Sequence, residues 1–187
     1  NDRALLDLAA PPPGVEVTPV ETDLAEDPAA ALGEADLVTA SAFFDLCGAA
    51  WLSRFADALA AQGAALYAVL SYDGREVWSP TDALDGAVLA AFHRDQRRDK
   101  GFGPALGPDA HAKLAELMRE RGYEVWGGSS DWELTPPGDA ALIAELARGS
   151  AAAVRPSLGQ EADAWEASRR EATHALIGHR DLLALPR

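Results

Sequence analysis

Only one cysteine, Cys47, occurs in the 187 residues, so no internal disulfide can brace the fold and nothing asks for an oxidising compartment. A reduced cytoplasm is the expected setting. No apolar run approaches the roughly 20 residues that span a bilayer. The first residues also lack a basic stretch followed by an apolar core, so neither a membrane partner nor a secretory leader is expected. Basic residues are scarce: 16 Lys and Arg stand against 30 Asp and Glu, a net charge of -14. Such a surface repels a phosphate backbone, because nucleic-acid binding draws most of its affinity from cationic contacts, and no nucleic-acid partner is expected. The four histidines, His93, His111, His174 and His179, show no metal spacing with acidic or thiolate partners, and no metal centre is predicted. There is no internal repeat.

What the chain does have is apolar content. Hydrophobic residues make up 48% of it, enough to bury a core without disulfides or a structural metal, and one domain over residues 1–187 is expected. Asp2 can cap a short helix with Leu5, Leu6 and Leu8 on one face, and Pro11 to Gly14 ends it. Val15, Val17 and Val20 mark a β-rich segment that finishes at Glu21-Thr22-Asp23, with Pro19 inside it. Asp27-Pro28 starts a helical turn through Leu32. Ala35 to Ala42 is a short apolar run of the kind buried on both faces, and it predicts a parallel strand. From Phe44 to Gln62 the positions Leu46, Ala50, Phe55, Ala58 and Leu59 recur near helical spacing, with Gly63 as the stop. A second buried strand follows from Ala64 to Ser71. Strand, helix, strand without a tight hairpin implies a right-handed crossover in a parallel sheet.

Beyond it, Trp78-Ser79-Pro80-Thr81-Asp82 leads to a helix that runs to about Arg97. Gly101 to Pro108 is punctuated by glycine and proline, and a helix is expected from Asp109 to Arg121. Tyr123 to Trp126 reads as a strand, Pro137 to Arg148 and Gln160 to Thr173 as helices, and Ala175 to Leu185 as the last strand.

In open parallel α/β sheets ligands bind beyond the carboxyl ends of the strands, which directs attention to Asp23-Leu24, Ser41 to Asp45 and Ser71-Tyr72-Asp73. The order of elements, together with the run Ala35-Asp36-Leu37-Val38-Thr39-Ala40-Ser41-Ala42-Phe43-Phe44-Asp45-Leu46, resembles the class I, Rossmann-like S-adenosylmethionine-dependent methyltransferases. Two further stretches, Arg98 to Pro108 and Ile177 to Ala184, resemble a bacterial subgroup of that family and extend the likeness over nearly the whole chain.

The resemblance implies an α/β sandwich with a mostly parallel sheet and helices on both faces, lacking in this sequence the family's first strand and glycine-rich loop. It implies S-adenosyl-L-methionine as cofactor, with S-adenosyl-L-homocysteine as product. Asp23 falls where the family has an acidic residue that accepts a hydrogen bond from the adenine amino group, and the Leu24 backbone would face the ring edge. A carboxylate is the natural acceptor for that amino group, although Asp23 can equally cap the turn toward Pro28. Ala40 and Ser41 would line the space beside the methyl donor. Phe43 and Phe44 could enclose a sulfonium or an apolar acceptor, or serve as core aromatics.

His93, Arg94, Arg97, Arg98 and Lys100 form a basic island in an acidic chain. Arg97 and Arg98 could receive an anionic substrate, or cations there could complement the end of a helix dipole. His174 or His179 could act as a general base, or hold a structural hydrogen bond. The expected activity is methyl transfer to a small-molecule acceptor, which depends mainly on positioning and needs no loud motif. A Rossmann-like module that binds or assembles without catalysis is the alternative, and a homodimer is compatible with either. A nicotinamide-dependent reductase suggested by Ser71-Tyr72 ranks low, since Glu76 stands where that family's lysine would fall.

Overall fold

In the computed structural model, residues 12–30 and 32–187 are described. The helix expected around Leu5, Leu6 and Leu8 falls outside them. Apolar runs flanked by helix stops build the first unit: β1 (Leu37–Ser41), a 3-10 turn (Phe44–Leu46), α1 (Ala49–Gln62) and β2 (Ala65–Ser79). α1 buries Trp51, Leu52, Phe55, Ala56 and Leu59, one face at helical spacing. It ends at Gly63, which takes the left-handed conformation (φ 73°) and returns its N–H to the Leu59 carbonyl at 3.0 Å. The helix starts later than its apolar pattern suggests. Gly48 is its extended N-cap, and a Cβ there would sit 2.9 Å from the Phe102 carbonyl oxygen and 3.0 Å from that of Pro104. The Gly48 N–H donates to Phe102 O (3.1 Å) and the Leu106 N–H to Cys47 O (2.9 Å), so the glycine- and proline-rich stretch straps the head of α1.

The remaining elements are α2 (Asp85–Gln96), a 3-10 turn (Gly107–Asp109), α3 (Ala110–Glu120), β3 (Glu124–Ser129), β4 (Trp132–Leu134), α4 (Ala140–Leu158), α5 (Gln160–Arg169) and β5 (His174–Leu185). The strands form one sheet in the order β1-β2-β5-β3, with β4 alongside β5. β1 and β2 are parallel, Leu37 opposite Ala65 and Ser41 opposite Val69. β5 runs antiparallel to β2, β3 and β4. The sheet is therefore mixed, which corrects the expectation of a mostly parallel one. A buried central strand reads as an apolar run in either direction, and the direction of β5 is set by the α4–α5 connection that feeds it from the far end.

β2 is about twice as long as its apolar run. Asp73-Gly74 reads as a turn, yet the strand passes through it as an irregularity between Tyr72 and Glu76. Gly74 (φ 89°) makes the bend, and the Arg75 guanidinium bridges Asp73 (2.6 Å) and Asp131 (2.7 Å). Hydrogen bonding from Arg75 holds the Asp131 carboxyl down at about 2.

Two apolar cores result. The first packs α1 and α3 against Leu66, Ala68, Leu182 and Ala184 on one sheet face. The second joins the far half of β2, through Trp78, to Val88, Ile143, Ala147, Val154, Trp165 and Ile177 of α2, α4, α5 and β5. On the other side of the first region Leu37, Tyr67, Trp126 and Leu185 are exposed, so among the described residues helices cover one face of these strands. The segment with Val15, Val17 and Val20 forms no strand, and all three valines are exposed; a strand needs a neighbour, and none adjoins it among the described residues. Among those residues no helix is long and apolar enough to cross a membrane.

Candidate functional site

β1 lies at the end of the sheet, and the chain leaves it through Ala42, whose N–H donates to Val69 O at 3.0 Å. The irregular segment before β1 runs alongside, fastened by α1. Trp51 Nε1 donates to Leu24 O (2.7 Å), the Arg54 guanidinium to Ala25 O (3.3 Å) and Glu26 O (3.2 Å), and Gln62 Nε2 to Ala35 O (2.6 Å). Between this segment, β1 and α1 is a cavity of about 290 Å³. Leu24, Ala40, Ser41, Phe43 and Phe44 all line it, with Trp51 behind. Its wall is aromatic: Trp51 stacks on Phe55 with ring centres 5.5 Å apart, and Phe43 meets Trp51 and Phe44 edge-on at the same 5.5 Å.

Five sequence-predicted residues are thus brought to one place. Asp23 adjoins it but is exposed, and its Oδ1 accepts the Ala25 N–H at 2.9 Å, the turn-capping role anticipated for it. Its other carboxylate oxygen and the Leu24 N–H have no hydrogen-bond partner among the described residues. Phe44 belongs to the core as well as the cavity wall. Arg97 and Arg98 are elsewhere, at the C-terminus of α2. Arg97 pairs with Asp109 (2.9 Å), while Arg98 and Lys100 share Asp95, each at 3.0 Å. Three cations of the basic island are thus paired: Arg98 and Lys100 with Asp95, which lies within the island, and Arg97 with Asp109 twelve residues on.

A second constellation lies between the two cores, just past the carboxyl end of β1. Asp45, Gln96 and His179 are each only 8% exposed although polar. Gln96 Nε2 donates to Asp45 Oδ2 at 3.1 Å. Asp45 Oδ1, Gln96 Oε1 and His179 Nδ1 are buried without a hydrogen-bond partner among the described residues. Burial pushes the Asp45 carboxyl above its ordinary range and the His179 imidazole below its own, opposed in the latter by Ile177 O and the Asp73, Asp131 and Asp45 carboxylates. A neutral imidazole there can take up a proton. Next to it, Tyr72 O–H donates to Glu76 Oε1 (2.9 Å), His93 Nε2 lies 3.1 Å from the same phenol oxygen, and Trp78 Nε1 donates to Glu76 Oε2 (3.2 Å). The sequence pointed to Asp45, Ser71 and Tyr72 through their positions after strands. Gln96 carries no such signal, because an amide at a helix end is unremarkable until its partner is known. The lone thiol plays no part: burial, with Asp45 adding to it, pushes Cys47 up to about 12.

These shifts predict the pH response. Burial lowers His93, His111 and His179 alike, so the unfolded chain binds their protons first. Their contribution to stability is present above the unfolded histidine value of about 6.5 and is lost as pH falls through it. Asp45 and Glu76, raised by burial, act in the opposite sense. Urea midpoints should fall as pH drops below about 6.5, and a double variant carrying Asp45→Asn and Glu76→Gln should fall more steeply as pH approaches the unfolded carboxyl range of about 4. A parallel, unsteepened decline would contradict the assignment.

Among the described residues no group of three His, Cys, Asp or Glu side chains is gathered to hold a metal ion. A scan of protein-family models and a search of curated proteins both return no match to this chain.

Proposed function

We propose that this chain binds S-adenosylmethionine at the β1 cavity and transfers its methyl group to a small-molecule acceptor, as the class I methyltransferases it resembles do. The observation that carries this reading is the convergence of Leu24, Ala40, Ser41, Phe43 and Phe44 on one cavity, although they are spread over 21 positions of sequence. At about 290 Å³ the cavity is at the small end of ligand pockets, roughly 300–1,000 Å³, and suits the nucleoside portion of the cofactor. The second Asp23 carboxylate oxygen and the Leu24 N–H, without a hydrogen-bond partner among the described residues, offer the acceptor and donor that an adenine edge needs. Aromatic faces at Phe43 and Trp51 suit a sulfonium. Bound there, the cofactor would supply an electrophilic methyl group, with Leu24, Ala40 and Ser41 beside its nucleoside and Phe43 and Trp51 beside its sulfonium. Where the acceptor loses a proton, His179, whose Nδ1 has no hydrogen-bond partner among the described residues, would be the base.

The alternative, a binding module without catalysis, is favoured by two features: Asp23 is already engaged in its own turn, and Arg97 and Arg98 are ion-paired. Asp23→Asn separates the two. The amide oxygen can keep the turn bond to Ala25 while its NH2 cannot accept from adenine. S-adenosylhomocysteine should bind the parent and lose about 0.5 to 1.5 kcal/mol in the variant, the net worth of a typical hydrogen bond, by calorimetric titration. Equal affinity would remove Asp23 from the site, and no binding by either chain would leave the module reading.

A further inference from the structure

The other lobe of the molecule carries a cavity of its own, built from different elements. It measures about 270 Å³ and lies between the far half of β2, the first turns of α2 and α5. Glu76, Asp85, Leu89, Trp78 and Trp165 line it, and Gly86 leaves its rim open. The two indoles meet edge-on with ring centres 5.6 Å apart.

The carboxylates at its wall differ. Asp85 is provided for: Oδ1 accepts Trp165 Nε1 (2.8 Å) and faces Arg169 Nη1 (3.7 Å), and Oδ2 accepts the Asp82 N–H (2.8 Å). Glu76 receives only neutral donors, Tyr72 O–H and Trp78 Nε1–H, and no cation pairs with it among the described residues. A largely buried carboxylate without a counter-charge is costly, and proteins normally supply one. The negative field is compounded by Asp85, which burdens Glu76 further. An anion at the wall of an otherwise apolar hollow floored by indole rings is the combination that organic ammonium ions satisfy, by charge pairing and by contact with aromatic rings.

We infer that the cavity between β2, α2 and α5 binds a small alkylammonium ligand, with Glu76 as its counter-ion and Trp78 and Trp165 as its floor. The inference is independent of the methyltransferase reading, since it uses no residue of the β1 cavity. Choline is the probe, and 3,3-dimethyl-1-butanol, the same skeleton with carbon in place of the charged nitrogen, is the control. The indole N–H resonances of Trp78 and Trp165 are followed by NMR during each titration. Saturable shifts of both are expected with the cation at millimolar concentrations, and about tenfold weaker effects with the alcohol. Glu76→Gln keeps the size of the side chain and should weaken binding by about tenfold. Gly86→Leu serves as a second variant that leaves the Tyr72–Glu76–Trp78 hydrogen bonds intact: Gly86 lines the cavity and a Cβ there meets nothing within 4 Å, so a leucine is accommodated at the rim and should weaken binding by crowding it. Indole shifts that are absent, equally strong with the alcohol, or unchanged in the folded variants would overturn the assignment.

Discussion

Arg169→Leu should unfold at markedly lower urea than the parent, by about 3 kcal/mol, because it strips a buried cation from partners that keep their charge. Arg169 is 1% exposed near the end of α5. Nη1 donates to the Pro80 carbonyl at 2.6 Å, and the guanidinium stands 3.7 Å from both Asp82 and Asp85. Those two aspartates shape the entry to α2, Asp82 Oδ1 accepting the Leu84 N–H and Asp85 Oδ2 the Asp82 N–H. Arg169 thus ties α5 to the β2–α2 loop. The two aspartates are each about a quarter exposed, which moderates the loss. Arg169→Lys should retain part of the stability, since it keeps the charge but not the planar fork. A change below about 1 kcal/mol for Arg169→Leu, the size of an exposed ion pair, would show that the buried guanidinium does not hold the loop.

Gly48→Val should be nearly as damaging, at about 1 to 3 kcal/mol, for a steric reason. The first atom of any side chain at this position meets main-chain oxygens of Phe102 and Pro104 at 2.9 and 3.0 Å, and backbone cannot swing aside as a flexible side chain can. To relieve the contact the strap over residues 99–106 must lift, breaking the bonds from Gly48 N–H to Phe102 O and from Leu106 N–H to Cys47 O. Phe102 would withdraw from Phe43 and Trp51, whose rings it meets at 5.3 and 5.4 Å. The variant should therefore lose thermal stability and loosen the β1 cavity together. Thermal melts that leave the variant equal to the parent would show that the strap gives way freely.

Both predictions concern features that the sequence only partly disclosed. β1, α1 and the start of β2 were legible because each follows from a local signal: an apolar run, a repeat at helical spacing, and Gly63 as a stop. The end of β2 was not. Asp73-Gly74 carries the chemistry of a turn, and only pairing with β5 makes it a bend inside a strand. Direction is equally silent, since alternation along Ala175–Leu185 is the same read either way, so a mixed sheet and a parallel one share one pattern. The valines at 15, 17 and 20 show the converse: β propensity without a partner forms no strand. Ser41, Phe43 and Phe44 were within reach of a rule of position because they end or follow β1, whereas Ala40 came from the family resemblance and Leu24 follows a segment that forms no strand. The Gln96–Asp45 bond and the Arg97–Asp109 pair depend on contacts between elements that no local pattern encodes, whereas the spacing of Arg98 and Asp95, three residues apart at the C-terminus of α2, is legible in the sequence.

The claim at the centre of this account is that the β1 cavity takes the nucleoside end of S-adenosylmethionine, and backbone NMR during titration with S-adenosylhomocysteine tests it most directly. Saturable amide shifts should concentrate at Leu24, Ala40, Ser41 and Phe43 and leave Val77, Gly86 and Leu89 in the other lobe unmoved. Shifts confined to that second lobe, or none at millimolar ligand, would contradict it.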